Sequence, residues 1–262
     1  GEENCMNKKR GILLSLLAAV VFTMLFSMNT FAATRYMSLK AGKVTTDKKS
    51  QKGDRSYFKI TVPKNGYLTI TSYAQQRGRY NSKYGQYIQL CNSKKKLIKN
   101  TKVYTSSMDK YVVYYAVKKG TYFVRVDNTY TNADVKIKYT FKAVTEKSGS
   151  SKAKAVSISK GRTKTGLLQA GEKNSKIDYY KIKLTKSQVL NITLNTRATG
   201  YVYFKMVPAS KRVILWNSLT SLYGKDSATW KTTKKIPAGT YYIQVYRSSV
   251  TNASGCYSIK WK

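Results

Sequence analysis

The stretch that decides the fold is Asp178-Tyr179-Tyr180-Lys181-Ile182-Lys183-Leu184, in which apolar and polar residues alternate. A period of two, rich in aromatic and β-branched residues and bounded by turn formers, is typical of a half-buried strand. Residues 239–245 (Gly-Thr-Tyr-Tyr-Ile-Gln-Val) have the same character. The two segments therefore predict two strands of one sheet.

The same pair of segments occurs earlier in the chain, at residues 57–62 and 120–126. Both landmarks recur in the same order about 120 residues later, which is the length of a small domain and exceeds that of a solenoid repeat. A Pro-Lys-Asn-Gly turn at 63–66 closes a β-hairpin after the first of them. We interpret the chain as two copies of one β-domain.

No window beyond the N-terminal segment has helical periodicity, so the predicted fold class is all-β, with two tandem jelly-roll-like β-sandwich domains behind a helical signal peptide. The predicted parts are an upstream stretch with the signal peptide, a first sandwich, a Ser- and Lys-rich linker, and a second sandwich, at residues 1–33, 34–146, 147–154 and 155–262.

Finer patterns predict the local structure. Residues 40–55 are polar and turn-rich, and we expect them to form a connection ahead of the strand at 57–62. In the second copy, alternation predicts separate strands near 188–195 and 200–207, and a further one near 227–233.

The N-terminal segment is predicted to direct export. Residues 7–10 are Asn-Lys-Lys-Arg, residues 11–28 are almost continuously apolar, and Ala32 and Ala33 offer small residues for cleavage. A retained membrane anchor is the alternative, because the apolar run is close to the length that spans a bilayer. Since Met6 precedes the basic residues, we interpret residues 1–5 as an error in the assigned start. After cleavage we expect a protein without a membrane span that is either secreted or associated with the cell wall.

The charge of the chain is extreme. Its 262 residues contain 49 Lys and Arg against 11 Asp and Glu, a net charge of +38, and no His. The absence of His excludes His-based triads and His metal sites. Nearly unopposed positive charge repels itself and favours a polyanionic partner. For an exported protein this means a cell-wall polymer, mucin or sulfated glycan, or extracellular DNA, rather than intracellular nucleic acid.

The sequence carries no pattern that indicates an enzyme. It has no glycine-rich phosphate loop, no thiolate spacing for a metal, and no Ser or Cys nucleophile with a His base. Cys91 and Cys256 lie at non-equivalent positions of the two copies, so a disulfide would have to join the two domains. Two small, semi-buried thiols are the interpretation we favour.

A set of residues in the second copy resembles the bacterial pre-peptidase C-terminal domain. They are Ala155, Ile158, Gly161, Gly166, Asp178, Tyr179, Tyr180, Ile182, Leu184, Leu190, Ile192, residues 239–243, Val245, Tyr257 and Ile259. The first copy resembles that family more loosely.

The resemblance implies a jelly-roll-like, non-catalytic sandwich of secreted bacterial proteins, usually appended to hydrolases. It also implies binding of collagen by some members and of calcium by others, through acidic residues at the entrance of the domain. The positions in this chain that could supply calcium ligands are Glu172, Asn174 and Asp178. Lys173 and Lys176 lie among them, and a site for calcium normally has net negative ligands, so hydrogen bonding by Asp178 at the strand entry is the competing interpretation. No other cofactor is predicted.

Two groups of residues are candidates for contact with a ligand. Arg77, Arg79, Tyr80 and Tyr84 lie in a Gly- and Gln-rich stretch where no core demands them, and guanidinium and flat rings suit sulfate, carboxylate and sugar rings. Trp216 and Trp230 are the candidates of the second copy. Tyrosines within the alternating strands are expected to pack instead.

The sequence therefore predicts a secreted, monomeric, non-catalytic protein that attaches to anionic extracellular polymers through basic sheet faces. Lysines at alternate positions, as at 136–138 and 181–183, are expected on the outside of the strands. The alternative is a specific carbohydrate- or collagen-binding module that serves a separate secreted hydrolase. The third hypothesis is a hydrolase that depends on Asp178.

Overall fold

The computed structural model of the protein describes residues 32–76, 86–105, 110–129, 133–210, 215, 219–247 and 253–262. This part of the chain forms sixteen β-strands, which confirms the predicted all-β fold. Within it, no helix has the length and apolar character needed to cross a bilayer. Residues 1–31 of the predicted signal peptide lie outside the described residues.

Strands β1 to β9 form the first sandwich. One sheet has the strand order β1-β3-β8-β5-β6 and the other has the order β2-β9-β4-β7, with β1 parallel to β3. The bounds are β1 Thr34–Ser38, β2 Val44–Ser50, β3 Arg55–Val62, β4 Gly66–Gln76, β5 Tyr87–Cys91, β6 Val103–Tyr104, β7 Tyr111–Val117, β8 Gly120–Asp127 and β9 Ala133–Ala143.

Strands β10 to β16 form the second sandwich. They are hydrogen-bonded in the order β10-β12-β15-β13-β16-β11, with β14 on β13 and with β10 parallel to β12. The bounds are β10 Val156–Ser157, β11 Thr163–Leu168, β12 Ile177–Leu184, β13 Asn191–Pro208, β14 Leu219–Lys231, β15 Gly239–Arg247 and β16 Ser254–Trp261.

The long strand β13 belongs to both layers of the second sandwich. Its first half pairs with β16 and its second half pairs with β15. Gly200 lies between the halves with a φ of +78°, where the pairing with β14 also shifts register. Glycine adopts this left-handed backbone without steric cost, so the strand can turn from one layer into the other.

The two sandwiches have the same strand order. β1, β3 and β8 correspond to β10, β12 and β15, and β2 and β9 correspond to β11 and β16. The two halves of β13 take the places of β4 and β5, and β14 takes the places of β7 and β6. The internal repeat seen in the sequence thus reappears as a repeat of topology.

We name the layers by their place. The front layer holds β1, β3, β8, β5 and β6 in the first sandwich, and β10, β12, β15, the second half of β13 and residues 219–223 of β14 in the second. The back layer holds the remaining strands, and the back layers contact each other through β4 and β7 on one side and β13 and β16 on the other.

Alternating side chains fill one core in each sandwich. In the first, Phe58, Ile60 and Val124 are fully buried, and in the second, Tyr180, Ile182 and Val245 are. Buried tyrosine hydroxyls find acceptors, since leaving them unpaired is costly. The Oη of Tyr115 donates to the carbonyl oxygen of Thr101 over 2.8 Å, and that of Tyr241 to Pro237 over 2.9 Å. Each core is assembled from strands that lie far apart in the sequence, as Phe58 and Val124 do.

Two local predictions were wrong. Residues 44–50, which were expected in a polar connection, form β2. The strand can bury Asp47 because this carboxylate forms an ion pair with Arg35 (2.7 Å) and accepts a hydrogen bond from Ser56 (2.6 Å). The strands predicted at 188–195 and 200–207 are one strand, because Gly200 bends the chain without ending it. The strand predicted near 227–233 extends from Leu219 to Lys231.

The predicted linker is fixed along the second sandwich. The backbone of Gly149 forms a bridge with Tyr179, with N···O distances of 3.1 and 2.8 Å, and the amide of Lys147 donates to Thr165 over 3.2 Å. Gly149 therefore adds to the edge of β12, and Lys147 is tied to β11.

Candidate functional site: a lysine-lined groove

The outer surface of the second front layer combines lysine and tyrosine. Along β12, Asp178, Tyr180 and Ile182 point into the core, whereas Tyr179, Lys181 and Lys183 point outward. Because neighbouring strands are in register, Lys181 lies beside Tyr242 and Lys183 lies beside Thr240 of β15. The outward lysines predicted for this strand are confirmed by the burial of Ile182 and the exposure of Lys183.

A groove of about 690 Å³ begins at this surface. Its walls carry four lysines, four hydroxyl groups and an amide, from Lys160, Lys181, Lys183, Lys186, Ser157, Ser159, Thr185, Thr240 and Gln188. Among the described residues that line it, none carries a carboxylate. The combination of ammonium groups, hydroxyl donors and no opposing acid is suited to an anion.

The floor of the groove is fixed by buried residues. Ile158 is 2% exposed, and its amide donates to the carbonyl oxygen of Lys181 over 2.9 Å. The indole Nε1 of Trp261 donates to the carbonyl oxygen of Ile158 over 2.7 Å. The lysine chains are flexible, but the backbone that places them is rigid, so their ammonium groups stay concentrated in one region.

Aromatic rings extend the front face of the second sandwich. The rings of Tyr203 and Tyr246 stack with centroids 5.5 Å apart, and those of Tyr201 and Tyr223 are tilted at 5.1 Å. Tyr201 and Tyr223 are 45% and 48% exposed. The Nζ of Lys152 lies 4.8 Å from the centroid of the Tyr242 ring at the groove, a cation–π distance.

The front face of the first sandwich has the same chemistry. The rings of Tyr36 and Tyr57 stack at 5.3 Å, with the Nζ of Lys95 4.0 Å from the Tyr36 centroid. Tyr87 and Tyr104 are 5.0 Å apart, and Lys102 lies 4.2 Å from Tyr87. The sequence predicted that strand tyrosines pack, and Tyr57 does so, stacked on Tyr36 and edge-on to Phe123. The exposure of Tyr36, Tyr87 and Tyr104 on this face was not predicted from the sequence.

Five of the six residues predicted to contact a ligand lie outside the described residues: Arg77, Arg79, Tyr80, Tyr84 and Trp216.

Trp230 is described, on β14. It pairs with Ile192 of β13 and packs, half-buried, against the core of the second sandwich. Its position on a strand of the back layer separates it from the groove, so the structure does not bring it together with the lysines.

Glu172, one of the calcium candidates, is held by cations of the protein. Its carboxylate accepts from Nη2 of Arg247 (2.7 Å), from Nζ of Lys176 (2.8 Å) and from the amide of Gln169 (3.1 Å). Burial opposes its ionisation, but these hydrogen bonds and charges outweigh burial and lower the pKa of Glu172. A metal ion would have to displace Arg247, whose side chain is 2% exposed.

The other two calcium candidates have different surroundings. Asn174 accepts from Nδ2 of Asn100 over 3.4 Å, a contact between the sandwiches. Asp178 points into the second core, where its Oδ2 accepts from the hydroxyl of Tyr257 over 2.6 Å. In the described part of the chain, no three His, Cys, Asp or Glu side chains are grouped to hold a metal.

Burial raises the pKa of Asp178 to about 6, against the opposing effects of the Tyr257 hydrogen bond and of Lys176. The Nζ of Lys176 is 3.8 Å from Oδ1, which accepts no hydrogen bond from the described residues. Asp178 is therefore a structural group whose ionisation the fold opposes.

Cys91 and Cys256, the two cysteines of the described residues, are free. Cys91 is fully buried behind the front face of the first sandwich with Tyr57 and Phe123, and Cys256 is half-buried between the sandwiches. Burial raises the pKa of each thiol to about 11, which keeps both protonated at neutral pH.

No protein-family model matches the chain, and no curated protein is significantly similar to it. The resemblance to the pre-peptidase C-terminal domain therefore stays a prediction.

Solved structures with a similar β-architecture were found. The CUB1-EGF-CUB2 domain of human MASP-1/3 is 10% identical, with 84% of this chain and 99% of that chain covered and a TM-score of 0.23. The tandem CBM22-1-CBM22-2 domain of Xyn10C from Paenibacillus barcinonensis is 9% identical, with 84% and 90% covered and a TM-score of 0.28. Tripeptidyl peptidase 2 is 12% identical, with 85% of this chain but 24% of that chain covered and a TM-score of 0.31.

Proposed function

We propose that this protein is a secreted, non-catalytic binding protein that attaches to anionic extracellular polymers such as cell-wall polymers, mucin or sulfated glycans. The observation that carries the proposal is the groove with Lys160, Lys181, Lys183 and Lys186 and without a carboxylate among its described lining residues. Ammonium groups held close together repel each other, and a polyanion relieves that repulsion while releasing its own counterions.

The distribution of acids supports the proposal. The buried carboxylates Asp47 and Asp54 are paired with Arg35, and Glu172 is paired with Arg247 and Lys176. These carboxylates thus neutralise partly or fully buried cations, and none of them lies among the described residues that line the groove.

The hydroxyl groups and the Tyr242 ring favour a polymer of acidic sugars. Serine and threonine hydroxyls can donate to sulfate or carboxylate, and an aromatic face can stack on a sugar ring. The partner is therefore an anionic polysaccharide, a cell wall or a matrix glycoprotein, and no step of bond cleavage is needed.

The experiment compares two triple variants of equal charge. Lys160→Gln, Lys183→Gln and Lys186→Gln remove the exposed lysines of the groove, and Lys64→Gln, Lys119→Gln and Lys142→Gln remove three exposed lysines elsewhere. Binding to immobilised heparin is measured by surface plasmon resonance at several salt concentrations.

Each groove lysine is expected to contribute about 1 kcal/mol near an anionic surface, so in the groove variant the affinity of the groove itself should fall about 100-fold at low salt. The slope of log K against log salt should also fall by about 2. Equal losses of heparin affinity in both variants would refute the groove as the binding site. A heparin affinity that does not depend on salt would refute electrostatic attachment altogether.

A specific carbohydrate- or collagen-binding module is the second candidate, favoured by the exposed pair of Tyr201 and Tyr223. Such a module would bind a neutral glycan or collagen at high salt and would lose that binding on Tyr223→Ala. Heparin binding that is unchanged by Tyr223→Ala but is abolished by salt would instead support the electrostatic proposal.

A further inference from the structure

The outer surfaces of the two back layers meet in a small apolar cluster. Tyr67, Tyr114 and Ala116 of the first sandwich are buried there with Leu167 of the second. All four side chains point away from their own cores, because the adjacent residues of each strand fill those cores instead. The sandwiches are therefore packed back to back.

Hydrogen bonds fix this arrangement along the edge of β7. The amide of Tyr114 donates to Oγ1 of Thr199 over 2.7 Å, and that hydroxyl donates back to the Tyr114 carbonyl oxygen over 3.0 Å. The amide of Ala116 donates to Oγ of Ser254 over 3.0 Å, and its carbonyl oxygen accepts from Ala170 over 2.9 Å. An edge strand that would otherwise expose unpaired groups is closed by the other sandwich.

This contact leaves the front face of each sandwich uncovered. Packed sheets lie about 10 Å apart, so each front sheet lies about 10 Å beyond its own back sheet. The lysines of the two front faces therefore form two separate surfaces.

Both front faces carry exposed lysine beside tyrosine. The first face has Lys59 on β3, with Lys95 over Tyr36 and Lys102 over Tyr87. The second face has the groove lysines, with Lys152 over Tyr242. The repeat of the fold has thus produced two similar surfaces, one on each sandwich.

We infer that the protein cross-links acidic polysaccharides by binding one chain on each front face. The inference rests on the proposed function, because it takes the same class of ligand, and adds a second, independent site and a bridging role. A single protein molecule would then hold two polymer strands, one on each sandwich.

The test measures a ternary complex. Biotinylated heparin is immobilised, the full-length protein is bound and unbound protein is washed away. Fluorescent heparin is then added, and the captured amount is measured per molecule of bound protein. Light scattering of the free protein is expected to report a monomer, which separates capture by a second face from capture by protein oligomers.

Three variants with equal change in charge are compared. The first-face variant is Lys59→Gln, Lys95→Gln and Lys102→Gln, the second-face variant is the groove triple, and the control is Lys64→Gln, Lys119→Gln and Lys142→Gln. All nine positions are exposed, so an unchanged unfolding midpoint is expected for each variant.

The wild type and the control should capture the second chain, and each one-face variant should still bind immobilised heparin but lose at least 10-fold in capture. Binding by the wild type without capture, or equal capture by all variants, overturns the cross-linking inference while leaving the proposed function intact. Failure of the wild type to bind heparin overturns the proposed function itself.

Discussion

Asp178 gives a prediction that follows directly from its position in the second core. Its side chain is 2% exposed, and only its Oδ2 is hydrogen-bonded by a described residue, Tyr257. Burial raises its pKa from 3.8 to about 6. The folded state therefore binds more protons than the unfolded state between about pH 4 and 6.

This difference in bound protons determines whether stability rises or falls with pH. The stability that the protonated Asp178 contributes is fully present below its unfolded pKa and is lost as the pH rises through about 6. A shift of about two pKa units corresponds to about 3 kcal/mol. Asn has nearly the same shape, keeps an oxygen for the Tyr257 hydroxyl and does not ionise, so Asp178→Asn removes this loss.

The free energy of unfolding of both proteins is measured by urea titration from pH 4 to pH 8. The two should have similar stability near pH 4, and Asp178→Asn should become the more stable by about 3 kcal/mol near pH 8. Tyr257→Phe removes a hydrogen bond that favours the carboxylate, so it should move the decline to higher pH.

Two curves that run parallel over the whole range would refute the reasoning, because burial would then not determine the ionisation of Asp178. Hydrolytic turnover that disappears in Asp178→Asn would instead support the hydrolase hypothesis.

Two further predictions concern stability. Glu172→Gln leaves the buried guanidinium of Arg247 without its charged partner, so we expect the free energy of unfolding to fall by about 3 kcal/mol at neutral pH. Measured by urea unfolding, this loss should shrink as the pH falls through the lowered pKa of Glu172, and an unchanged midpoint at pH 7 would contradict the ion pair. Gly166→Ala places a methyl 2.1 Å from the Tyr257 ring and should destabilise by about 3 kcal/mol, whereas Gly161→Ala, with φ +76° and open space, should cost about 1 kcal/mol. Thermal unfolding distinguishes the two, and equal effects would contradict the packing of Tyr257.

Local patterns were sufficient for the strands that alternate. The period of two along residues 178–184 predicted β12, and Ile182 is buried while Lys183 is exposed. The tandem landmarks likewise predicted that one arrangement occurs twice. These features depend on residues that are close together in the chain. Successive side chains of a strand point to opposite faces, so the odd or even position of a residue sets the face on which it lies.

The binding site depended on distant residues. Lys160 follows β10, Lys183 is on β12 and Lys186 follows it, and they form one groove only because β10 pairs with β12. Asp47 became part of a strand because Arg35 of another strand could pair with it. Neither pairing leaves a local signal.

The sequence by itself determined the strand pattern, the repeat and the excess of positive charge, because each is a property of composition or of short-range periodicity. The tertiary structure alone decided which lysines share a groove and that the sandwiches pack back to back. The physical reason is that both depend on contacts between segments far apart in the chain, such as Tyr114 with Thr199. The energies of such contacts depend on complementary surfaces that exist only after folding.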